Sequence, residues 1–164
     1  MSQSRHADRA AECLLSEVKR PWYGPGEMSA QSASEIKAIK AANQSFYTAL
    51  SAMDAKAMGA VWAKTAYAVS IGPFNKKIDV GYEAAISKYF AATFNHFSKM
   101  SVSASIAEVR TRGGLGYVIG AEQGEVQPKN GSGPIKIKNF VTNIFEKDHG
   151  RRLMVSHDAS SVPK

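Results

Sequence analysis

The hydrophobic and polar positions divide the chain into a helical first part and a strand-forming second part. The pair Ser32 and Glu35 forms a capping box, which predicts that the first helix begins at residue 32. Its buried face consists of apolar residues at helical spacing: Ile36, Ile39, Phe46 and Leu50. Asn43 lies on the same face, and a buried amide needs either a backbone partner or a cavity to face.

Two more helices and one short strand are predicted before residue 100. Asp54 can cap a short helix that carries Val61, and a third helix is expected over about residues 81–97. Between them, residues 67–71 have the composition of a strand that ends at Gly72. The aromatic residues of this part could line a pocket for a flat, apolar ligand, although aromatic residues at helical spacing are more often core: Trp62, Tyr67, Tyr89 and Phe94.

From residue 101 the pattern changes to four strands joined by hairpin turns. The strands are expected at 102–111, 115–127, 135–147 and 151–159, with Gly, Asn, Asp and Pro residues between them. In the third of these strands the apolar positions change from odd to even numbers, which predicts a β-bulge near Lys138 and Asn139. Three helices followed by a bent antiparallel sheet predict an α+β cone with an interior pocket.

The length and the N-terminal composition define the domain organisation. A chain of 164 residues can bury one core but is short for two independent domains. Pro21, Gly24, Pro25 and Gly26 interrupt any helix that begins in the first twenty residues. We therefore predict a tail at 1–31, disordered or loosely docked, and one domain at 32–164. Whether residues 1–27 belong to the natural product is left open.

Charge and composition narrow the classes of partner. The net charge of +7 is dispersed, as at Lys136 and Lys138, which alternate with isoleucines as on the solvent face of a strand. We therefore expect no nucleic-acid partner. The single Cys13 and four scattered histidines predict neither a disulfide framework nor a metal site, and we expect no cofactor. No apolar run reaches the length of a membrane span, and no signal peptide is apparent, so we expect a cytoplasmic protein without a membrane partner.

Four short motifs, taken in order, resemble the SnoaL-like branch of the NTF2-like superfamily. They are ANQSFY at 42–47, followed by Asp54 and Trp62, then VGYEA at 80–84, TNIF at 142–145 and MVSHDAS at 154–160. The resemblance extends from about Ser34 to Pro163. It implies a cone-shaped fold with a pocket and, commonly, a homodimer that packs through the outer face of the sheet. Members include cyclases, isomerases, dehydratases and non-catalytic domains, so the fold alone does not determine the function.

The catalytic positions of ketosteroid isomerases can be compared with this chain one at a time. The resemblance places the isomerase tyrosine at Phe46, the base near Ser70 and the second aspartate near Thr142, so all three chemical groups are missing. Isomerisation by that mechanism is therefore not expected, unless Tyr47 or Asp79 has taken over. Many SnoaL-like sequences also have three consecutive histidines in the last strand, of which only the middle one is present here.

That histidine, His157, is the first candidate for acid–base chemistry, because its ordinary pKa of about 6.5 suits proton transfer near neutral pH. Its alternative role is at the sheet edge or in a dimer contact. Asp158 is the second candidate, although neighbouring residues of a strand point to opposite faces. A three-residue hairpin at 148–150 would place Val141 opposite His157 and make Asn143 its diagonal neighbour on the same face. Either this face or the opposite one lines the pocket; the opposite face carries Thr142, Ser156 and Asp158.

The sequence therefore predicts a small-molecule pocket protein whose ligand is small and largely apolar. Two alternatives stay open. One is a cofactor-independent acid–base enzyme of the isomerase, cyclase or dehydratase type that acts on a carbonyl or cyclic substrate, and the other is a non-catalytic dimerisation module. The ligand-binding candidates are Asn43, Tyr47, Trp62, Tyr67, Ser70, Tyr89 and Asn143.

Overall fold

The computed structural model describes residues 30–163, with side chains from residue 33 onward. The tail predicted at 1–31, including Cys13, therefore lies almost entirely outside the described residues. Within them, three α-helices form one layer: α1 (Ala30–Ala52), α2 (Ala55–Val61) and α3 (Tyr89–His96). A π-helical segment, Tyr82–Lys88, leads directly into α3, so the third predicted helix exists in two parts. None of the described helices is long and apolar enough to cross a membrane.

Five strands form one curved sheet against this helical layer. Their order in space is β1-β5-β4-β3-β2, with β1 parallel to β5 and every other pair antiparallel. The predicted α+β fold class is therefore confirmed. The strand bounds are β1 (Val69–Ile71), β2 (Phe97–Arg112), β3 (Leu115–Pro128), β4 (Ile135–Asp148) and β5 (Arg151–Ser161).

The sheet bends because β2 and β3 approach each other closely at two glycines. A Cβ atom at Gly120 would collide with the backbone carbonyl of Ser105, and one at Gly124 would collide with that of Ser101. Gly124 also has φ +155°, which disfavours any side chain there. Register shifts in the β2–β3 and β4–β5 pairs add to the curvature.

The β-bulge predicted near Lys138 and Asn139 is wrong, because both residues pair regularly with β3. Odd-numbered residues of β4 point inward over this whole region. The apolar pattern changes for another reason: Asn139 and Asn143 are buried amides, whereas Phe140 is an exposed aromatic residue on the outer face. The register shift of β4 lies instead next to Ile144, where β4 pairs with β5.

An ion-pair cluster on Glu35 joins α1 to β4 and β5. Its carboxylate lies 2.5 Å from Nζ of Lys147 and 2.5 Å from Nη2 of Arg152. Nη1 of Arg152 also donates to the carbonyl of Gly114 at 2.6 Å. The predicted capping box is therefore wrong: α1 already includes Ala30, and Glu35 ties α1 to β4 and β5 rather than to its own N-terminus.

Candidate functional site

A cavity of about 80 Å³ lies between the concave face of the sheet, α1 and α3. Most of its lining is apolar, and its mouth is formed by Pro73 and Phe74 in the loop after β1. Five aromatic residues contribute to the lining: Phe46, Phe74, Tyr89, Phe90 and Phe97. Five polar residues interrupt it: Ser70, Thr93, Glu122, Asn139 and His157.

Glu122 is the carboxylate of this cavity, and it is only 4% exposed. β3 directs it inward together with Val118 and Val126, which are buried on the same face. The Tyr47 hydroxyl donates to Oε1 at 2.9 Å, and Nδ2 of Asn139 donates to Oε2 at 3.0 Å. Both oxygen atoms are thus held by neutral donors, and each keeps capacity for a further hydrogen bond.

His157 is fixed by a chain of two buried amides. Its Nδ1 lies 2.7 Å from Oδ1 of Asn143, and Nδ2 of Asn143 donates to Oδ1 of Asn43 at 2.7 Å. Because an amide oxygen only accepts, Nδ1 of His157 carries a hydrogen and donates it. Nε2 is then an acceptor in the neutral ring, and it lies 3.8 Å from Oε1 of Glu122.

The protonation of His157 is set mainly by burial. Burial lowers the pKa of His157 below its ordinary value, while the carboxylates of Glu122 and Asp158 raise it in part. The ring therefore stays neutral at physiological pH. It packs against Phe46 with 4.8 Å between the ring centroids, which fixes its orientation further.

Tyr47 connects the carboxylate to the amides. Its hydroxyl lies 3.5 Å from Nδ2 of Asn143 and donates to Glu122. Burial, and then the Glu122 carboxylate, raise the pKa of Tyr47 well above its ordinary value, so the phenol stays protonated as a donor. Asp79, the other residue that could replace an isomerase group, forms an ion pair with Lys77 at 2.9 Å and is not part of the cavity lining.

Ser70 and Tyr89 complete the set of predicted residues that the fold brings together. Ser70 is buried in β1 and pairs in register with His157 across the parallel β1–β5 ladder, so the two side chains are neighbours on one face. Tyr89 follows the π-helical segment and lines the cavity near its mouth. Burial raises the pKa of Tyr89, so its hydroxyl is also a neutral donor.

Three predicted site residues lie away from the cavity. Trp62 is buried in the core beside Phe46 rather than in the lining. Tyr67 is 53% exposed and donates to Glu146 at 2.6 Å. Asp158 is exposed on the outer face of the sheet, because its neighbour His157 points inward.

The pairing of the last two strands differs from the predicted register. Asn143 lies directly opposite His157, not diagonal to it, because the turn has two residues. These residues, His149 and Gly150, adopt φ values of 45° and 80°. A register shift around Val155 supplies the remaining offset. The inward face is therefore the one that carries Asn143 and His157, which resolves the alternative that the sequence left open.

Sequence reasoning missed Glu122 and Asn139. A signal for Glu122 was present, since it falls in the inward phase of β3 between Gly120 and Gly124. A charged residue at an apolar position of an alternating strand either has a buried partner or serves a site. Asn139 gives a similar signal in β4, where it breaks the apolar phase before Val141.

The sequence profile of the SnoaL-like domain matches residues 39–164 of this chain. No curated protein matches the sequence. The match therefore covers nearly all of the described helices and strands and includes the residues around the cavity.

Solved structures of the NTF2-like superfamily share the fold. A candidate dehydratase of the NTF2-like family from Streptomyces avermitilis superposes with a TM-score of 0.71 at 17% identity, over 81% of this chain and 99% of that one. An NTF2-like superfamily protein from Salmonella enterica serovar Typhimurium gives a TM-score of 0.73 at 10% identity, over 81% and 94%. A candidate association domain of calcium/calmodulin-dependent protein kinase type II from Thiobacillus denitrificans gives 0.63 at 21% identity, over 76% and 94%. These identities support the fold alone.

Proposed function

We propose, from the premise that this chain belongs to the SnoaL-like domain family, that it is a small-molecule pocket protein whose ligand binds in the cavity beside Glu122 and His157. The ligand is small and largely apolar, since most of the lining is apolar and the cavity measures about 80 Å³. Ser70 and Tyr89 supply hydroxyl groups that can orient it.

One observation carries the proposal: a buried carboxylate and a buried imidazole share a mostly apolar cavity. Burying an ionised group costs free energy unless it is well paired. Among residues 33–163, the donors within hydrogen-bond distance of Glu122 are the neutral groups of Tyr47 and Asn139. A core built for stability alone would carry apolar side chains there, so this arrangement favours a site for a ligand.

Thermal unfolding against a panel of small ketones, alcohols, amines and simple aromatic compounds tests this proposal, because a ligand of the folded state raises the melting temperature. The variant Ala159→Leu fills part of the cavity and should reduce the shift. The matched variant Ala107→Leu, at an exposed position of β2, should leave it unchanged. If a compound raises the melting temperature of Ala159→Leu as much as that of the wild type, it binds outside the cavity.

An acid–base enzyme is the second candidate, favoured by the hydrogen bonding of His157. Its Nδ1 is held by Asn143, so Nε2 can take a proton from a substrate, as an isomerase, cyclase or dehydratase requires. Hydrogen–deuterium exchange next to the carbonyl of small ketones, followed by NMR, measures such a transfer. His157→Asn should slow it by about 100-fold or more, whereas His149→Asn, at an exposed histidine, should not. Equal rates in the two variants would exclude His157 as the base.

We also propose that a second copy of this chain covers the outer face of the sheet. Exposed apolar residues lie side by side there on neighbouring strands, and a structural neighbour is named an association domain. These exposed apolar residues are Leu115, Tyr117, Ile119 and Phe140. If the chain dimerises through this face and no compound binds in the cavity, the third function, a dimerisation module, applies.

Sedimentation tests the dimer. Phe140→Lys should give monomers at micromolar concentration. Phe74→Lys, at an equally exposed phenylalanine of the cavity mouth, should leave the dimer intact. A wild-type protein that sediments as a monomer would contradict this part of the proposal.

A further inference from the structure

Two hydrogen-bond acceptors, one on His157 and one on Glu122, lie close together in the lining of the cavity. Nε2 of His157 and Oε1 of Glu122 are 3.8 Å apart, beyond hydrogen-bond distance. Nε2 presents a lone pair in the neutral ring, because Nδ1 donates to Asn143. Oε1 accepts one hydrogen bond from Tyr47 and keeps a second acceptor site. A single donor with two hydrogens, placed about 2.8 Å from both atoms, would satisfy them together.

The negative charge of Glu122 favours a ligand whose hydrogen-bond donor is a cation. Glu122 is almost fully buried, and among residues 33–163 no lysine or arginine lines the cavity. A carboxylate in such surroundings lacks a counterion, and a cationic ligand would supply one. An anionic ligand would instead be repelled by Glu122 and would meet no positive charge in the lining.

The rest of the lining suits the alkyl part of such a cation. Five of the lining residues are aromatic, and aromatic rings attract ammonium groups as well as their alkyl substituents. The volume of about 80 Å³ is roughly half of the 150 Å³ that encloses benzene in an engineered cavity. The part of a ligand that the cavity encloses is therefore smaller than a benzene ring.

We propose that the cavity binds a small primary or secondary alkylammonium ion, with one N–H group donated to Glu122, a second donated to His157, and the alkyl group among the aromatic rings. This inference rests on the proposed function, because it names the ligand class of the same cavity. It explains why a carboxylate stands in an aromatic cavity, and why the acceptor atom of His157 is directed toward it.

Isopropylammonium and isopropanol test the proposal directly, because they have the same shape and differ in charge and in the number of donated hydrogens. Both are titrated into the full-length protein at pH 8 and equal ionic strength, and dissociation constants are measured from NMR chemical shifts. The amine remains protonated at this pH, as a lysine side chain does. We expect millimolar binding of isopropylammonium that is on the order of tenfold tighter than binding of isopropanol.

Two variants locate the origin of this preference. Glu122→Gln keeps the shape of the side chain and removes the charge, so the two probes should bind with nearly equal affinity. Glu125→Gln makes the same substitution three residues further along β3, where the side chain is exposed, and should keep the preference of the wild type.

The results separate this proposal from the proposed function. If isopropanol binds wild-type protein as tightly as isopropylammonium, or if Glu122→Gln retains the preference, the cavity is not an ammonium site, while its function as a ligand pocket stands. If neither probe binds, the ammonium proposal is overturned. Thermal unfolding with the wider panel, compared between wild type and Ala159→Leu, then decides whether the cavity binds any ligand. The wild-type comparison holds even if Glu122→Gln does not fold.

Discussion

Glu35 and Glu122 both lie against the inner side of the fold, but they differ in what surrounds their carboxylates. Glu35 is ion-paired with Lys147 and Arg152 where α1 meets β4 and β5. Glu122 is more deeply buried, and in the part of the chain that the structure describes its hydrogen-bond donors are the neutral groups of Tyr47 and Asn139. The first arrangement ties secondary-structure elements together, whereas the second leaves a charge that a ligand can use. The difference separates a structural ion pair from a candidate site within one small domain.

The largest expected effect is the loss of stability when Arg152 is replaced by methionine. The Arg152 side chain is 2% exposed and donates to the carbonyl of Gly114 as well as to Glu35. Arg152→Met removes these buried hydrogen bonds and leaves Glu35 with Lys147 as its ion-pair partner, and we expect it to lower the free energy of unfolding by about 3 kcal/mol.

The matched control is Arg151→Met, at the exposed neighbouring arginine, whose guanidinium donates to the carbonyl of Ala60. It should change stability by less than about 0.5 kcal/mol. Urea unfolding of both variants measures the difference, and equal stabilities would show that the Glu35 cluster does not stabilise the fold.

A smaller loss of stability is expected when Asn143 is replaced by leucine. Asn143 is fully buried and bonds to both His157 and Asn43, so Asn143→Leu leaves two buried polar groups without their partner. We expect a cost of about 2 kcal/mol in the free energy of unfolding and a loss of the fixed Nδ1–H tautomer of His157, which ¹⁵N NMR detects.

Thr142→Val serves as the control, because Thr142 precedes Asn143 and points to the other face. It should leave the tautomer unchanged. If His157 keeps the same tautomer in Asn143→Leu, the amide does not determine which ring nitrogen carries the hydrogen.

The smallest expected effects are shifts in pKa. The pKa of His157 lies below 6.5 in the wild type, and Glu122→Gln should lower it further by removing the carboxylate that favours the charged ring. Asp158→Asn should lower it less, because Asp158 contributes less than Glu122. NMR titration of the ring protons measures both values. A rise in either variant would contradict the proposed electrostatics.

The lowered pKa values of His157 and Glu35 make the stability of the fold depend on pH in two different ranges. The folded pKa of His157 is lowered, so the unfolded chain binds the proton more readily and stability falls as pH drops below about 6.5. The pKa of Glu35 is lowered by Lys147 first and then by Arg152, so its contribution is complete above about 4.5 and is lost as pH falls through the folded value. As pH falls, the contribution of His157 to the free energy of unfolding should therefore be lost before that of Glu35.

Much of the fold could be predicted because its signals are local. The spacing of Ile39, Phe46 and Leu50 is sufficient to predict a helix, and Asp148 to Gly150 is sufficient to predict a turn. The register was harder to predict, because it depends on whether that turn has two residues or three and on a shift at Val155. An error of one residue in the length of the turn or in the register shift assigns a different partner to His157.

The site was only partly predictable because its partners are distant in sequence. Tyr47 and Glu122 are 75 positions apart, and no local pattern indicates that they meet. The sequence indicates Asn43 as a polar residue among apolar positions, and His157 as the histidine of the last strand whose ordinary pKa suits proton transfer. Glu122 could have been found in the same way from the alternation in β3, but the sequence alone could not identify the residues that hold it.

The central claim, that this cavity binds a small ligand, is tested most directly by methyl NMR during titration with small amines, ketones and alcohols. Leu50, Val102 and Val126 line the cavity, whereas Leu115 and Ile119 lie exposed elsewhere. We predict saturable shifts of the cavity methyl groups with at least one compound, and unchanged signals from the exposed ones. Shifts confined to the exposed methyl groups, or no saturable shift with any compound, would contradict the claim.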